Sequence, residues 1–204
     1  MKKFFFSAFT IICILLTFSG CFNHGYISEN KNDFKISEQD IEGRMLYNSF
    51  TNTVNKAFLK EVFADVYEEE YKLVALPENA DEIEKSLIAD NVIIEHCKEK
   101  DIFIDKERTT QTAKEEFELL NSDEAQELYA SFVHKTLLEY NLSEEEYIEL
   151  LCEKSYYHYN KIALKSYFGE NLYESNSVKS LNEQFDDYVD ALVQSWDGTA
   201  PCSE

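Results

Sequence analysis

Histidine and cysteine are the residue types in this chain that could bind a metal ion or act as nucleophiles. The densest set is His96 beside Cys97, with Glu95 and Glu99 close in sequence. Consecutive residues of a helix point about 100° apart, whereas a shared ion needs ligands three or four residues apart. We therefore predict that no metal binds here and that His96 pairs with Glu99 or Lys100.

The other residues able to do catalytic chemistry are not arranged as a catalytic motif. His158 lies in the segment YYHYN, where an aromatic cluster is expected, and the acidic runs 68–70 and 144–146 are typical of solvated helix faces and helix N-termini. The chain contains no glycine-rich phosphate loop, no serine nucleophile elbow and no HExxH sequence. We predict a protein that is not an enzyme and has no cofactor, and we identify no small-molecule substrate.

Aromatic residues are abundant, with 13 tyrosines and 15 phenylalanines. Nine of them fall between residues 129 and 168: Tyr129, Phe132, Tyr140, Tyr147, Tyr156, Tyr157, Tyr159, Tyr167 and Phe168. They fill a helical core in the simpler interpretation, and in the other they line a groove that holds unfolded polypeptide. Tyr157 is the predicted polypeptide-binding residue, because it lies off the apolar stripe of its helix and should be exposed or face a partner.

The first twenty residues have the form of a secretory signal peptide, with Lys2 and Lys3 before an apolar run that ends in small residues. The run is marginal as a membrane-spanning helix, which needs about 20 apolar residues. The sequence Phe18-Ser19-Gly20-Cys21 resembles the bacterial lipobox, although Phe18 departs from the usual Leu, Val or Ile. The resemblance implies that Cys21 becomes the N-terminus, with diacylglycerol on its sulfur and an acyl group on its amine.

Charge restricts the partners of such a protein. The chain has 40 acidic and 19 basic residues, and removal of residues 1–20 changes the net charge from −21 to −23 because only Lys2 and Lys3 are lost. Nucleic acid and anionic lipid headgroups repel a surface of this kind. We therefore expect a lipid anchor at the extracytoplasmic face of the cell membrane, a protein or peptide partner and no nucleic acid. Which membrane applies in a cell with two is left open.

Three cysteines remain beyond the signal and the lipidation site: Cys97, Cys152 and Cys202. An extracytoplasmic location permits a disulfide. We expect Cys97 and Cys152 to be buried free thiols that pack as small apolar groups. Whether they pair with each other is left open by the sequence, and Cys202 is expected to be exposed in the tail.

The rest of the chain has the pattern of an all-α domain of six to seven helices. Residues 21–36 read as a flexible tether, and the helices are predicted near 38–50, 53–73, 80–99, 106–120, 122–140, 144–168 and 177–196, the first two of which can fuse. Capping boxes are predicted at Ser37 with Asp40 and at Ser143 with Glu146. Asp105 is a predicted N-cap, and Gly169 a predicted helix stop.

Two segments have a familiar order: DEIEKSLIADNVIIEHCKEKDIFIDKE, then YNLSEEEYIELLCEKSYYHYNKIALKSYF. With FKISEQDI before them, they resemble the N-terminal chaperone domain of the SurA/PrsA family of extracytoplasmic foldases, over residues 37–170. Members of that family commonly carry a parvulin-type isomerase domain, for which residues 171–204 are too few. The resemblance implies that this segment is a C-terminal helix and tail, with the helix packing back onto the bundle.

These observations lead to two hypotheses for function. The first is a lipid-anchored, non-enzymatic, chaperone-like protein that binds unfolded or secreted polypeptide. The alternative is a structural or regulatory lipoprotein that binds one specific partner in an envelope complex. A hydrolase or a metal-binding lipoprotein is a third alternative, which requires a site that the sequence does not display.

The lipidation of Cys21 can be tested directly. Replacement of Cys21 by Ala removes the only sulfur at the predicted cleavage site, so metabolic labelling with a radioactive fatty acid should be lost. Cys13→Ala, which changes a cysteine inside the apolar run, is the matched control and should keep the label. Equal labelling of wild type and Cys21→Ala would contradict the prediction.

Overall fold

The structure of the chain, a computed structural model, describes residues 36–122 and 127–196. Cys21, Cys202, the predicted signal peptide and all of the tether except Ile36 lie outside the described residues. The described residues contain no strand and form seven α-helices, which confirms the predicted all-α fold. The helices are α1 (Glu38–Phe63), α2 (Tyr67–Val74), α3 (Ala80–Glu99), α4 (Lys106–Ser122), α5 (Glu127–Tyr140), α6 (Glu144–Asn171) and α7 (Leu181–Ser195).

Both predicted capping boxes form. The Ser37 hydroxyl accepts a hydrogen bond from the Asp40 backbone N–H at 3.1 Å, and the Asp40 carboxylate accepts one from the Ser37 backbone N–H at 2.9 Å. Ser143 and Glu146 make the same pair of bonds at 3.2 and 2.8 Å. Asp105 accepts a hydrogen bond from the backbone N–H three residues later at 2.8 Å, as predicted for the N-cap of α4. Each pair satisfies N–H groups that a helix start leaves without partners.

The first helix differs from the prediction in where it ends. It continues through residues 51–52, and the chain breaks instead at 64–66, so that α2 begins at Tyr67. The buried face of α1 includes Asn52 and Asn55 beside its apolar residues, and these polar residues keep the helix in the core across the predicted gap. Val66, at this break, is 46% exposed.

Two boundaries near the C-terminus also differ. The predicted stop at Gly169 is wrong, because α6 continues to Asn171 and the Phe168 carbonyl accepts from the Leu172 N–H at 2.8 Å. Gly169 instead lies where α7 approaches, since a Cβ there would be 3.8 Å from the Leu181 side chain. Helix α7 begins at residue 181 rather than 177, because Ser180 forms a capping box that the sequence analysis missed.

Residues in the left-handed conformation end α3 and α5. Asp101 has φ 57° and Asn141 has φ 52°. After α3, the Ile102 N–H donates to the Cys97 carbonyl at 3.0 Å, and the Leu142 N–H donates to the Leu137 carbonyl at 3.0 Å after α5. These are the bonds of the Schellman motif, which closes a helix end and turns the chain sharply. Because the turn after α5 is short, α6 begins only a few residues after α5 ends.

Buried asparagines hold two extended connections against the helices. Asn52 accepts from the Leu76 N–H at 2.8 Å and donates to the Leu76 carbonyl at 2.9 Å. Asn160, which is 0% exposed, makes the equivalent two bonds to Ile104, each at 2.9 Å. Backbone groups that enter a core need partners, and a side-chain amide offers one donor group and one acceptor. These bonds fix the connections α2–α3 and α3–α4.

Helix α6 is the centre of the bundle and packs against α1, α3, α4 and α7. One core cluster joins its first half to α1, α4 and α5, and another joins its second half to α3 and α7. In the second cluster the Phe168 ring lies 5.8 Å from that of Phe185 and 5.1 Å from that of Tyr188. The C-terminal helix therefore packs back onto the bundle, as predicted.

The docking of α7 can be tested at Phe185, which is 1% exposed. Phe185→Ala removes a buried ring from the contact with α3 and α6 and should cost about 3–5 kcal/mol of unfolding free energy in urea denaturation. Val178→Ala, at a fully exposed side chain, should change it by less than about 0.5 kcal/mol. A cost at Phe185 no larger than that at Val178 would show that α7 is not part of the folded core.

Candidate functional site

A buried ion pair joins α1 to α3. The Arg44 Nη1 atom lies 3.0 Å from the Asp90 Oδ2 atom, and the two side chains are 3% and 4% exposed. The second guanidinium nitrogen of Arg44, Nη2, is also buried and has no hydrogen-bond partner among the described residues. Burial of a charge is costly unless it is paired, and a buried donor without a partner costs about 1–3 kcal/mol. The Arg44 guanidinium is therefore only half satisfied.

Helix α6 turns a face with several basic groups toward this pair. Lys154, Tyr157, His158 and Lys161 are spaced i, i+3, i+4 and i+7, which places them on one side of the helix. The Arg44 guanidinium carbon lies 4.9 Å from the centre of the Tyr157 ring, in a cation–π contact. All four side chains on this face are half-buried. We call Arg44, Asp90 and these four residues the Arg44 cluster.

Burial and like charges weaken the protonated forms of two groups in the Arg44 cluster. Burial, reinforced by Arg44 and opposed by Asp90, lowers the pKa of Lys154 to about 8. Burial, reinforced by Lys154 and Lys161, lowers the pKa of His158 to about 4. His158 is therefore neutral at pH 7, whereas Arg44 and Lys154 carry positive charge. The cluster is a basic region within a strongly acidic chain.

Tyr157 is not exposed, contrary to the expectation from its helix position. Its ring is half-buried because it covers the Arg44 guanidinium. Burial, with Glu153 nearby, raises its pKa to about 12, so the hydroxyl keeps its proton at neutral pH. Its role in polypeptide binding stays a prediction.

The other aromatic residues between 129 and 168 also serve the core. Tyr147 and Phe168 are buried, and the remaining seven are half-buried. The Tyr147 ring lies 4.6 Å from that of Phe50 across α1 and α6, and the Phe58 ring packs edge-on against Tyr129 at 5.4 Å. These contacts place aromatic residues of this set in the core, and the groove for unfolded polypeptide stays a prediction.

His96 pairs with Glu99 as predicted, with 3.1 Å between Nδ1 and Oε2. Its Nε2 atom lies 2.7 Å from the Tyr188 hydroxyl, which ties α3 to α7 and which no sequence pattern indicated. Burial lowers the pKa of His96, while Glu99 acts in the opposite direction. His96 therefore serves the attachment of the C-terminal helix.

Cys97 and Cys152 are buried free thiols, as expected, and the question of their pairing is answered in the negative. The Cys97 thiol donates to the Asn160 carbonyl at 3.3 Å, and burial raises its pKa to about 11. A thiol with so high a pKa is a poor nucleophile at neutral pH. Cys97 is a packing residue between α3 and α6.

Several further properties bear on the kind of site. In the described part of the chain, no group of three or more His, Cys, Asp and Glu residues is placed to hold a metal ion. Among the same residues, no helix is both long and apolar enough to cross a membrane. Comparison with family models, with curated proteins and with solved structures finds no match to this chain. The Arg44 cluster is therefore interpreted from its own geometry.

The Arg44–Asp90 pair is not predicted from the sequence, because its partners are 46 residues apart in the chain. One signal was present in the sequence. Lys154, His158 and Lys161 recur along one face of α6 in a chain with twice as many acidic as basic residues. A basic face on a central helix indicates that charges are brought together inside the bundle rather than dispersed in solvent.

His158 gives the fold a pH dependence that can be measured. Its pKa in the folded chain is about 4, whereas an unfolded histidine titrates near pH 6.5. Between these values the unfolded chain binds more protons, so stability falls as the pH falls from about 7 toward 4. His158→Gln should reduce this loss by about 1–2 kcal/mol in urea denaturation at pH 7 and pH 5.

His134→Gln is the control for this measurement, since the His134 side chain is 44% exposed. It should keep the pH dependence of the wild type. A His158→Gln variant whose stability falls as steeply as that of the wild type would contradict the neutral state of His158.

Proposed function

We propose that this protein is a lipid-anchored, extracytoplasmic, non-enzymatic protein that binds unfolded or secreted polypeptide as a chaperone does. The observation that carries the proposal is the order of its parts: a sequence that resembles a lipobox and ends at Cys21, a segment predicted to be a tether, and a helical bundle from residue 37. The segments on which the SurA/PrsA resemblance rests form a helix, a turn, an extended step and a capped helix. This order supports the resemblance.

The surface that would meet a polypeptide is apolar in places and acidic elsewhere. The aromatic residues between 129 and 168 are half-buried or buried, and other apolar side chains are more exposed. Among the residues that the structure describes, large apolar side chains are at least one-third exposed at ten positions: Val66, Leu73, Phe103, Leu119, Leu128, Leu138, Ile162, Leu172, Tyr173 and Val178. In the proposal these side chains make weak contacts with many chains, and the surrounding acidic groups favour basic segments.

The proposal is tested by the aggregation of an unfolded client. The purified full chain should slow the light scattering of a chemically unfolded client at equimolar concentration. Leu138 is 84% exposed, and Leu138→Asp should weaken the effect because it removes apolar surface and adds repulsion. Lys135→Asp, at an exposed position on the same helix, is the control for added charge. A chain that neither slows aggregation nor binds peptide would refute the proposal.

One observation favours the second candidate, a lipoprotein with a single folded partner. Leu172, Tyr173 and Val178 all lie in the short connection between α6 and α7, and Val178 is fully exposed. Apolar side chains concentrated at one place are typical of a defined interface. Cross-linking in membranes followed by purification distinguishes the two candidates. One stoichiometric partner, lost in Val178→Asp, would favour the second, whereas many weak partners would favour the chaperone.

A further inference from the structure

The Arg44 guanidinium has one nitrogen bonded and one without a partner. Nη1 donates to Asp90, the Tyr157 ring covers one face, and Nη2 is buried without a hydrogen bond in the described structure. Arg44 as a whole is 4% exposed. An arginine cannot lose its proton to avoid this cost, so Nη2 remains a charged donor. Such a donor requires an acceptor that the described side chains do not supply.

The face of α6 beside Arg44 supplies further positive charge. Lys154 interacts electrostatically with Arg44 and Asp90, and also with Lys161, which lies about two turns further along α6. Lys154, Tyr157, His158 and Lys161 are half-buried, so this side of the Arg44 cluster borders the solvent. A small molecule approaching from that side meets these groups before it meets Arg44.

The charges around the Arg44 cluster include acidic groups from each neighbouring helix. Asp90 on α3 offsets Arg44, and Asp40 on α1 and Glu153 on α6 act electrostatically on Tyr157. Asp40 is exposed and already accepts hydrogen bonds from Ser37, so its charge acts at the rim. In the interior of the cluster, the one negative charge of Asp90 faces the two positive charges of Arg44 and Lys154. Positive charge is therefore in excess there.

We propose that the Arg44 cluster binds a small ligand through one oxyanion group, a phosphate or a carboxylate, held by Arg44 Nη2 and the Lys154 ammonium group. One anionic oxygen would satisfy Nη2 and offset the excess charge together. Because Nη1 is committed to Asp90, Arg44 contacts the oxyanion through a single nitrogen rather than as a fork. Lys161 adds positive charge at the side that borders solvent. The inference is independent of polypeptide binding.

A purely structural role for Arg44 makes a different prediction. In that case phosphate and acetate would act on the bundle only through screening and through their general exclusion from protein surfaces, and neither effect follows a binding curve. A specific site instead gives a stabilisation by one class of anion that is steepest near the dissociation constant and above it grows only with the logarithm of the anion concentration. The two roles are therefore separated by comparing anions.

The experiment measures the thermal unfolding midpoint of the purified full chain at pH 7 in increasing inorganic phosphate. Chloride keeps the ionic strength constant, and sodium acetate replaces phosphate in a second series. We expect a rise of this logarithmic form in at least one series. Such a rise in phosphate assigns a phosphate group, and such a rise in acetate assigns a carboxylate. A rise that stays linear in anion concentration, or a response no different from that in chloride alone, would overturn the proposal.

Two variants place the effect at the cluster. Lys154→Met removes one ammonium group and should weaken the apparent anion affinity about tenfold, the factor expected for a lost charge-assisted hydrogen bond. Arg44→Lys keeps the positive charge beside Asp90 but removes the second donor nitrogen, and it should weaken binding similarly. It serves as the test if Lys154→Met does not fold. Lys135→Met, at a side chain 71% exposed on α5, should bind as the wild type does. Wild-type affinity in a folded cluster variant would overturn the assignment.

Discussion

The burial of the Arg44 guanidinium is the constraint around which the centre of the molecule is arranged. A permanent positive charge at 4% exposure needs a counter-charge, and Asp90 on α3 supplies it at 3.0 Å. The Tyr157 ring covers the guanidinium from α6. Three helices that are distant in sequence therefore meet at one side chain, and their relative positions are limited by its geometry. Because Arg44 and Asp90 are each costly without the other, the pair favours this arrangement over alternative packings of three amphipathic helices.

Other polar groups in the core act in the same way, each by satisfying backbone that would otherwise be buried without partners. Asn52 binds the backbone N–H and carbonyl of Leu76, and Asn160 binds those of Ile104. The two connections therefore run close to the helices. The Schellman turn at Asn141 closes α5 and directs the chain into α6. The apolar clusters supply most of the driving force for folding, and these polar contacts select the connections between helices.

Much of this fold follows from local signals in the sequence. Ser37 and Ser143 form capping boxes with the residues three positions later. Both partners lie in one short stretch of sequence, so these boxes can be predicted from it. The prediction at Gly169 is wrong because a glycine permits a helix stop without requiring one. The Arg44 cluster could not be predicted, since no local pattern indicates that residues 44 and 90 meet. Tyr157 was singled out for its position off the apolar stripe, but its neighbour across the bundle determines its exposure.

The central claim is that Arg44 and Asp90 act as one buried unit that holds α1, α3 and α6 together. A double-mutant cycle with Arg44→Met, Asp90→Leu and the combined variant tests it by urea denaturation at pH 7. Each single replacement strands a buried charge and should cost about 3–5 kcal/mol. The combined variant strands neither, so its cost should be well below the sum of the two, with a coupling energy of at least about 2 kcal/mol. Additive costs within about 0.5 kcal/mol would contradict the account, because the two side chains would then contribute independently.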